Sequence, residues 1–397
     1  MRAAFAVGLC GVGLLLLAIR AVAAEPSPVP PNTTLAARVS SGPTAMEYWD
    51  VTAWLESGDR FFARFLVTNQ GPGEQTAAAV GHLVLAGGEV VPFKWGRRHD
   101  AWTLGPGGGS LKIAKAALVL DGPALVVEVD SAKRGIELRL EIARTAPLLA
   151  TRPLATGYGL DVAMPAPAHG RIRTRGMDAP RAVVGTGAVT HTWMERPEGE
   201  VLRRRIDLLA REGEVALYLS ALTLADGTRR GTALVSRAGG ILAHVDDVTF
   251  RFGSATTAGG DPGYPIATAW ETESSTLAAR VSVGRELLRM DPLDILPQPF
   301  RMLLALDGRP QRVWAEATAD LALKIAGKDD ATHMIETGIL AATFARPMSG
   351  AEMDGGARIH FGRRRPSEHW TRSVQAHGAE MEMLYPRTSS MRVPSTR

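Results

Sequence analysis

The chain has 397 residues, 45% apolar and 22% charged, with a formal net charge of +4. That composition can bury a core and excludes a disordered chain, and at roughly 150 residues per domain the length predicts two domains. The 42 glycines and 25 prolines exclude a coiled coil or long-helix protein.

In chain order, residues 1–24 read as a secretory signal. Arg2 supplies the positive start, Ala3 to Ile19 form an apolar run, and Ala21-Val22-Ala23-Ala24 offers small residues for cleavage before Glu25. Arg20 stops the run short of the roughly 20 residues a membrane span requires. The prediction is an exported protein, periplasmic or extracellular, with no span after cleavage; peripheral contact with a membrane surface stays open. Removing Arg2 and Arg20 leaves 43 basic against 41 acidic residues, too balanced for a nucleic-acid partner. The one cysteine, Cys10, lies inside the signal, so the mature chain has no disulfide and no thiol nucleophile.

Residues 25–44 form a Pro-rich linker without hydrophobic periodicity. From Tyr48 onward apolar and polar residues alternate with period two, broken by turn signals. Ile136, Leu138, Leu140 and Ile142 alternate with Glu137, Arg139 and Glu141, and Val127 and Val129 precede them across Asp130 to Gly135, which predicts a hairpin. Val215, Leu217 and Leu219 alternate before Asp226-Gly227, Gly239-Gly240 marks another turn, and Val248, Phe250 and Phe252 follow it. Asp307-Gly308 predicts one more hairpin before Leu321, Leu323 and Ile325. No segment between these strands carries helical spacing over a dozen residues, which argues against alternating α/β folds. The expected class is all-β and antiparallel, as two barrels or sandwiches over 45–195 and 196–347, followed by a basic, loosely ordered tail over 348–397.

Standard catalytic patterns are missing. Gly105-Pro106-Gly107-Gly108-Gly109 lacks the lysine and Ser/Thr pair of a phosphate loop, and a strand-like Leu111-Lys112-Ile113 follows it. Asp246-Asp247 and Asp329-Asp330 are neighbours that point to opposite faces if they lie in strands, and His360, His369 and His377 fall in the tail. No metal site or required cofactor is read from these patterns. Two places remain. One is Glu47-Tyr48-Trp49-Asp50 with Trp54 downstream, where either Trp49 or Asp50 enters the barrel. The other is Gly185-Thr186-Gly187-Ala188-Val189-Thr190-His191-Thr192-Trp193. There the glycines allow close approach of another backbone or a ligand, and His191 and Trp193 share one face. An imidazole beside an indole can bind the polar end of an apolar molecule or protonate it, while the alternative is a strand whose histidine is merely hydrogen-bonded and whose tryptophan is core.

These segments resemble the AttH-like and carotenoid-hydratase (hydroxyneurosporene synthase) proteins, a superfamily related to the fungal survival factors and lipocalin-like Diels–Alderases. Glu47-Tyr48-Trp49-Asp50 is similar to the family's opening E-W-W-Y-type strand. Ala124 to Pro147 is similar to its mid-domain hairpin, and Gly185 to Trp193 to its G-x-G-Y-x-D-H-x-W junction. The resemblance covers about 45–345. It implies a tandem of two lipocalin-like antiparallel β-barrel domains with an apolar cavity. It also implies a hydrophobic partner: a lipid, an isoprenoid or another apolar small molecule. Two positions depart from the junction motif: Ala188 replaces its tyrosine and Thr190 its aspartate. Threonine cannot be the strong acid that alkene hydration requires, so the sequence argues against carotenoid hydration.

The leading expectation is an exported protein that binds an apolar molecule. Tyr48, Trp49, Trp54, Gly185, Gly187, His191 and Trp193 are the expected ligand-binding residues, with Trp95 and Trp102 as further candidates. The alternatives are a cofactor-independent hydratase, isomerase or cyclase using His191, and a ligand-free structural envelope protein.

Overall fold

The computed structural model describes residues 35–70, 75–144, 148–150, 157–246, 248–253, 255–256, 264–292, 310–323, 331–345 and 347. The expected signal, the expected tail with its histidines, the Asp307-Gly308 turn, Ile325, Asp247 and Asp329-Asp330 lie outside these residues.

Period-two alternation produces strands where it was legible. Ile136–Ala143 alternates buried and half-buried residues along its length and pairs with Ala124–Ser131 across the turn Ala132–Arg134, as the hairpin prediction requires. Val215–Leu224 ends before Asp226-Gly227, where Gly227 takes φ 89°, and Gly239 takes φ 82° in the turn leading to Gly240–Asp246. Among the described residues the only α-helix is the single turn Glu198–Val201.

The strands form two large antiparallel sheets. The first has the spatial order Val90–Arg97, Thr76–Val84, Arg60–Thr68, Met46–Leu55, Arg181–Met194, Tyr158–Thr174, Ile136–Ala143, Ala124–Ser131, Ala116–Val119, Ser110–Ile113, Trp102–Leu104. The second runs Gly240–Asp246, Arg229–Arg237, Val215–Leu224, Leu202–Glu212, Ala331–Phe344, Gln311–Leu323, Leu277–Met290, Ala269–Glu273, Thr249–Phe252. Each is a meander whose first strand pairs with its last long strand, so one plan is used twice. The first sheet folds back on itself: Trp102 Nε1 of one end strand donates to the Gln75 carbonyl just before Thr76–Val84 at 2.8 Å, and the guanidinium of Arg134, in the turn before Ile136–Ala143, lies 5.5 Å above the Trp95 ring of the other end strand. In the second, Val248 N donates to Gly231 O at 3.0 Å. Both sheets therefore curl toward barrels.

Each barrel has its own core. Trp49, Val51, Phe61, Phe65, Leu140 and Ile142 fill the first, and Leu208, Leu217, Leu219, Trp270, Leu340 and Phe344 the second. A third apolar layer lies between the sheets, built from the opposite faces of the same strands: Tyr48, Trp54, Phe62 and Leu160 meet Tyr218, Leu222 and Trp314. The Phe62 and Trp314 rings are 5.0 Å apart across this seam. Burying each such side chain contributes about 1.5–3 kcal/mol, so docking of the halves is a major source of stability.

Charges are buried in the same layer. Asp50 accepts from Arg64 Nε at 2.8 Å and Nη2 at 3.1 Å, and from Arg312 Nη1 of the second half at 2.5 Å. Burial alone would raise the Asp50 pKa, but the Arg312 and Arg64 charges outweigh it and hold the carboxyl below its ordinary range. Beside this trio Tyr48 donates to Glu198 at 2.7 Å, while Arg205 Nη1 donates to Thr192 Oγ1 at 2.7 Å and its Nε pairs with Asp207 at 2.7 Å.

Candidate functional site

Three strands of the first barrel bring one row of side chains together. Register places Trp49 of Met46–Leu55 opposite His191 of Arg181–Met194, and His191 opposite Asp161 of Tyr158–Thr174. Period two keeps Glu47, Trp49, His191, Trp193 and Asp161 on the inner face. Of Trp49 and Asp50, Trp49 is the one that enters the barrel, while Asp50 faces the seam.

The geometry is close. The His191 imidazole lies flat on the Trp49 indole, with centroids 4.6 Å apart and planes within 5°. Its Nε2 is 2.6 Å from Glu47 Oε1, and its Nδ1 is 3.2 Å from Asp161 Oδ2, a charge contact off the ideal hydrogen-bond line. His191 is 0% exposed. Burial by itself pushes an imidazole pKa down; the bonds to Asp161 and Glu47, and their negative charges, outweigh it and raise the pKa. The ring therefore holds its proton more tightly than a free imidazole does, between two carboxylates on an aromatic face. Such a unit can store a proton and deliver it through Glu47, the carboxylate hydrogen-bonded to Nε2.

Residues of the expected linker complete the centre. Arg38 Nη2 donates to Asp161 Oδ2 at 2.8 Å, and its guanidinium carbon lies 4.4 Å above the Trp193 ring. The Arg38 and Val39 backbone N–H groups donate to the two oxygens of Glu47 at 2.7 and 2.8 Å. The Leu35 carbonyl accepts from Trp49 Nε1 at 2.8 Å.

Of the residues singled out from sequence, the structure gathers Trp49, His191 and Trp193. Tyr48 and Trp54 are turned by the strand pleat to the opposite face, in the seam. Trp54 there lines a cleft of about 280 Å³ with Arg60, Ser282, Glu316, Thr318 and Ile339. Trp95 packs on Phe93 at 5.4 Å, and Trp102 bonds to Gln75, both away from His191. Gly185 and Gly187 serve close packing. A Cβ at Gly185 would sit 2.4 Å from Trp54 O, and one at Gly187 would sit 2.6 Å from the Ile142 side chain.

Sequence reasoning missed Asp161 and Arg38 as parts of the site and quoted Glu47 only inside a motif. Glu47 was within reach, because it stands two residues before Trp49 and so shares its face. Asp161 had no local signal, since it arrives through strand pairing. Position 190 also changes meaning. Thr190 lies opposite Asp50 on the seam face, so an aspartate there would point away from His191. The carboxylates of this centre come from Glu47 and Asp161, which removes the sequence-based objection to acid chemistry.

No protein-family model and no curated protein matches the sequence significantly. Solved structures do match the fold. An AttH-type protein from Nitrosomonas europaea superposes with TM-score 0.59 at 14% identity, covering 81% of this chain and 100% of that one. CghA solved with Sch210972 gives 0.55 at 13% identity, over 81% and 96%. Kievitone hydratase from Nectria haematococca gives 0.52 at 8% identity, over 80% and 93%. At these identities the likeness is one of fold. It is the lipocalin-like tandem that the opening-strand and junction motifs implied.

Proposed function

We propose that this protein is a cofactor-independent enzyme of the hydratase, isomerase or cyclase type, acting on an apolar small molecule such as an isoprenoid or polyketide. The observation that carries the reading is the buried His191 imidazole held between Glu47 and Asp161 against Trp49. Two structural neighbours fit it: one is a hydratase by name, and another was solved with the small molecule Sch210972. Membership of the AttH-like and carotenoid-hydratase superfamily, and export after removal of residues 1–24, belong to the same proposal.

Glu47 is the group that meets the substrate. It receives a proton from His191 Nε2 and passes it to a carbon–carbon double bond or a departing hydroxyl. Asp161 holds the imidazole in place and offsets its charge. In hydration the alkene takes the proton, water adds to the resulting carbocation-like centre, and the proton lost by that water returns through Glu47 to His191 Nε2, restoring the starting state. The buried position of His191, Glu47 and Trp49 strengthens each of these electrostatic interactions.

The test is incubation of purified protein with prenyl alcohols, linear polyenes and prenylated phenols, followed by mass spectrometry. Gain or loss of one water, or an isomeric product, is expected with the wild type and absent in His191→Ala and Glu47→Gln variants of unchanged circular dichroism. Turnover in His191→Ala equal to wild type would refute the assignment. A substrate that binds and is always released unchanged would return the protein to the ligand-carrier reading.

A further inference from the structure

The segment Leu35–Ser40 has no regular secondary structure, yet it is seated in the first barrel group by group. Leu35 is 0% exposed and joins the barrel core. Ala37 N donates to Gly108 O at 3.0 Å. Gly108, in the glycine-rich loop that sequence alone left without a role, takes φ +73°, and a Cβ there would come within 2.5 Å of Ala37 O. That loop is therefore shaped to admit the segment.

Its polar contacts are selective. The Leu35 carbonyl takes Trp49 Nε1, the Arg38 and Val39 N–H groups take both oxygens of Glu47, and Arg38 Nη2 takes the Asp161 oxygen that faces His191. A segment that merely capped the barrel would have no need to bond both carboxylates of the centre and the indole beneath its imidazole. The seating is also strained: Val39 has φ 38°, in the left-handed region that β-branched residues rarely adopt. Asn69 Nδ2 holds the far end through the carbonyls of Ser40, at 3.0 Å, and Gly42, at 2.7 Å.

We propose that Leu35–Ser40 is a built-in stand-in for the ligand of the His191 centre, which a ligand must displace and whose chemistry it must reproduce. This rests on the reading of that centre as the functional site. The matching ligand has an apolar body to replace Leu35, a carbonyl or hydroxyl oxygen for Trp49 Nε1, and an O–H or N–H donor for Glu47. Charge narrows the class further. Arg38 bonds both carboxylates, Glu47 through its backbone N–H and Asp161 through its guanidinium; once Arg38 leaves, the centre loses that cation. The exposed carboxylates then favour neutral or cationic molecules, and cationic transition states, over anions such as fatty-acid carboxylates.

The experiment is stopped-flow uptake of the neutral fluorophore N-phenyl-1-naphthylamine by the full chain, read by energy transfer from indole and localised by its loss in Trp49→Phe. Leu35→Ala and Arg38→Ala are expected to raise the association rate at least about tenfold. A fatty amide should displace the probe at concentrations where the fatty acid of equal chain length does not. Should either variant fail to fold, Arg38→Lys keeps the cation but loses the planar fork over Trp193, and a rise of at least about threefold is expected. Folded variants with a wild-type melting temperature and association rates within about twofold of wild type would overturn the proposal, as would displacement by fatty acid equal to that by amide. Uptake requires no turnover, so accelerated uptake with no chemistry would sink the enzyme reading alone.

Discussion

Asp50→Asn offers a quantitative test of how the two barrels are joined. Asp50 is 4% exposed and accepts three charged hydrogen bonds, two from Arg64 and one from Arg312. Arg64 and Arg312 are themselves 8% and 3% exposed, so neither can turn its charge to water when the carboxylate goes. The variant leaves two guanidinium groups facing each other in an apolar layer, stacked on Tyr48 at 3.8 Å and Trp314 at 5.0 Å. Breaking a buried pair by removing one partner costs about 3–5 kcal/mol, roughly a thousandfold in the folded-to-unfolded ratio at about 1.4 kcal/mol per decade. Chemical denaturation followed by tryptophan fluorescence would measure it, with the far-ultraviolet signal as a second probe in case the halves separate before they unfold. Asp50→Leu combined with Arg64→Leu and Arg312→Met should recover most of the loss, because well-packed apolar replacements of buried ion clusters are often neutral or better. A loss below about 1 kcal/mol in Asp50→Asn would refute the account, as would a combined variant no better than the single one.

Other expectations are as direct. His191→Ala and Glu47→Gln should abolish turnover while leaving the strand spectrum intact, as measured by product formation and circular dichroism. The folded-state pKa of His191 is raised, so its charge stabilises the fold fully below the unfolded value of about 6.5, and that stabilisation is lost as pH rises through the folded value. Wild-type melting temperature should therefore fall over that window, and the slope should flatten in Glu47→Gln. Gly187→Ala drives a methyl group into Ile142 and should cost about 1–3 kcal/mol by denaturant titration, with Ile142→Val restoring part of it. If export is right, protein recovered from the periplasm or medium should begin at Glu25, which N-terminal sequencing would show.

The sequence determined the class of the fold, and much of the first barrel's inner row, through local pattern. Alternation at Ile136–Ile142 and Val215–Leu219 yields strands because a pleated chain presents successive side chains to opposite faces, and the same rule puts His191 with Trp193 and Glu47 with Trp49. It failed where both faces of a strand are buried. Tyr48, Trp54 and Tyr218 occupy the seam, and nothing local distinguishes an aromatic facing a second sheet from one facing a barrel interior. Asp161 stands 30 positions from His191 and meets it only because Tyr158–Thr174 pairs with Arg181–Met194 in a particular register. Arg38 reaches Asp161 across 123 positions of chain, from a stretch whose composition reads as linker. A proton-holding centre is a matter of ångströms between groups remote in sequence. Periodicity assigns each side chain to a face, while strand register and the path of Leu35–Ser40 decide which of them touch.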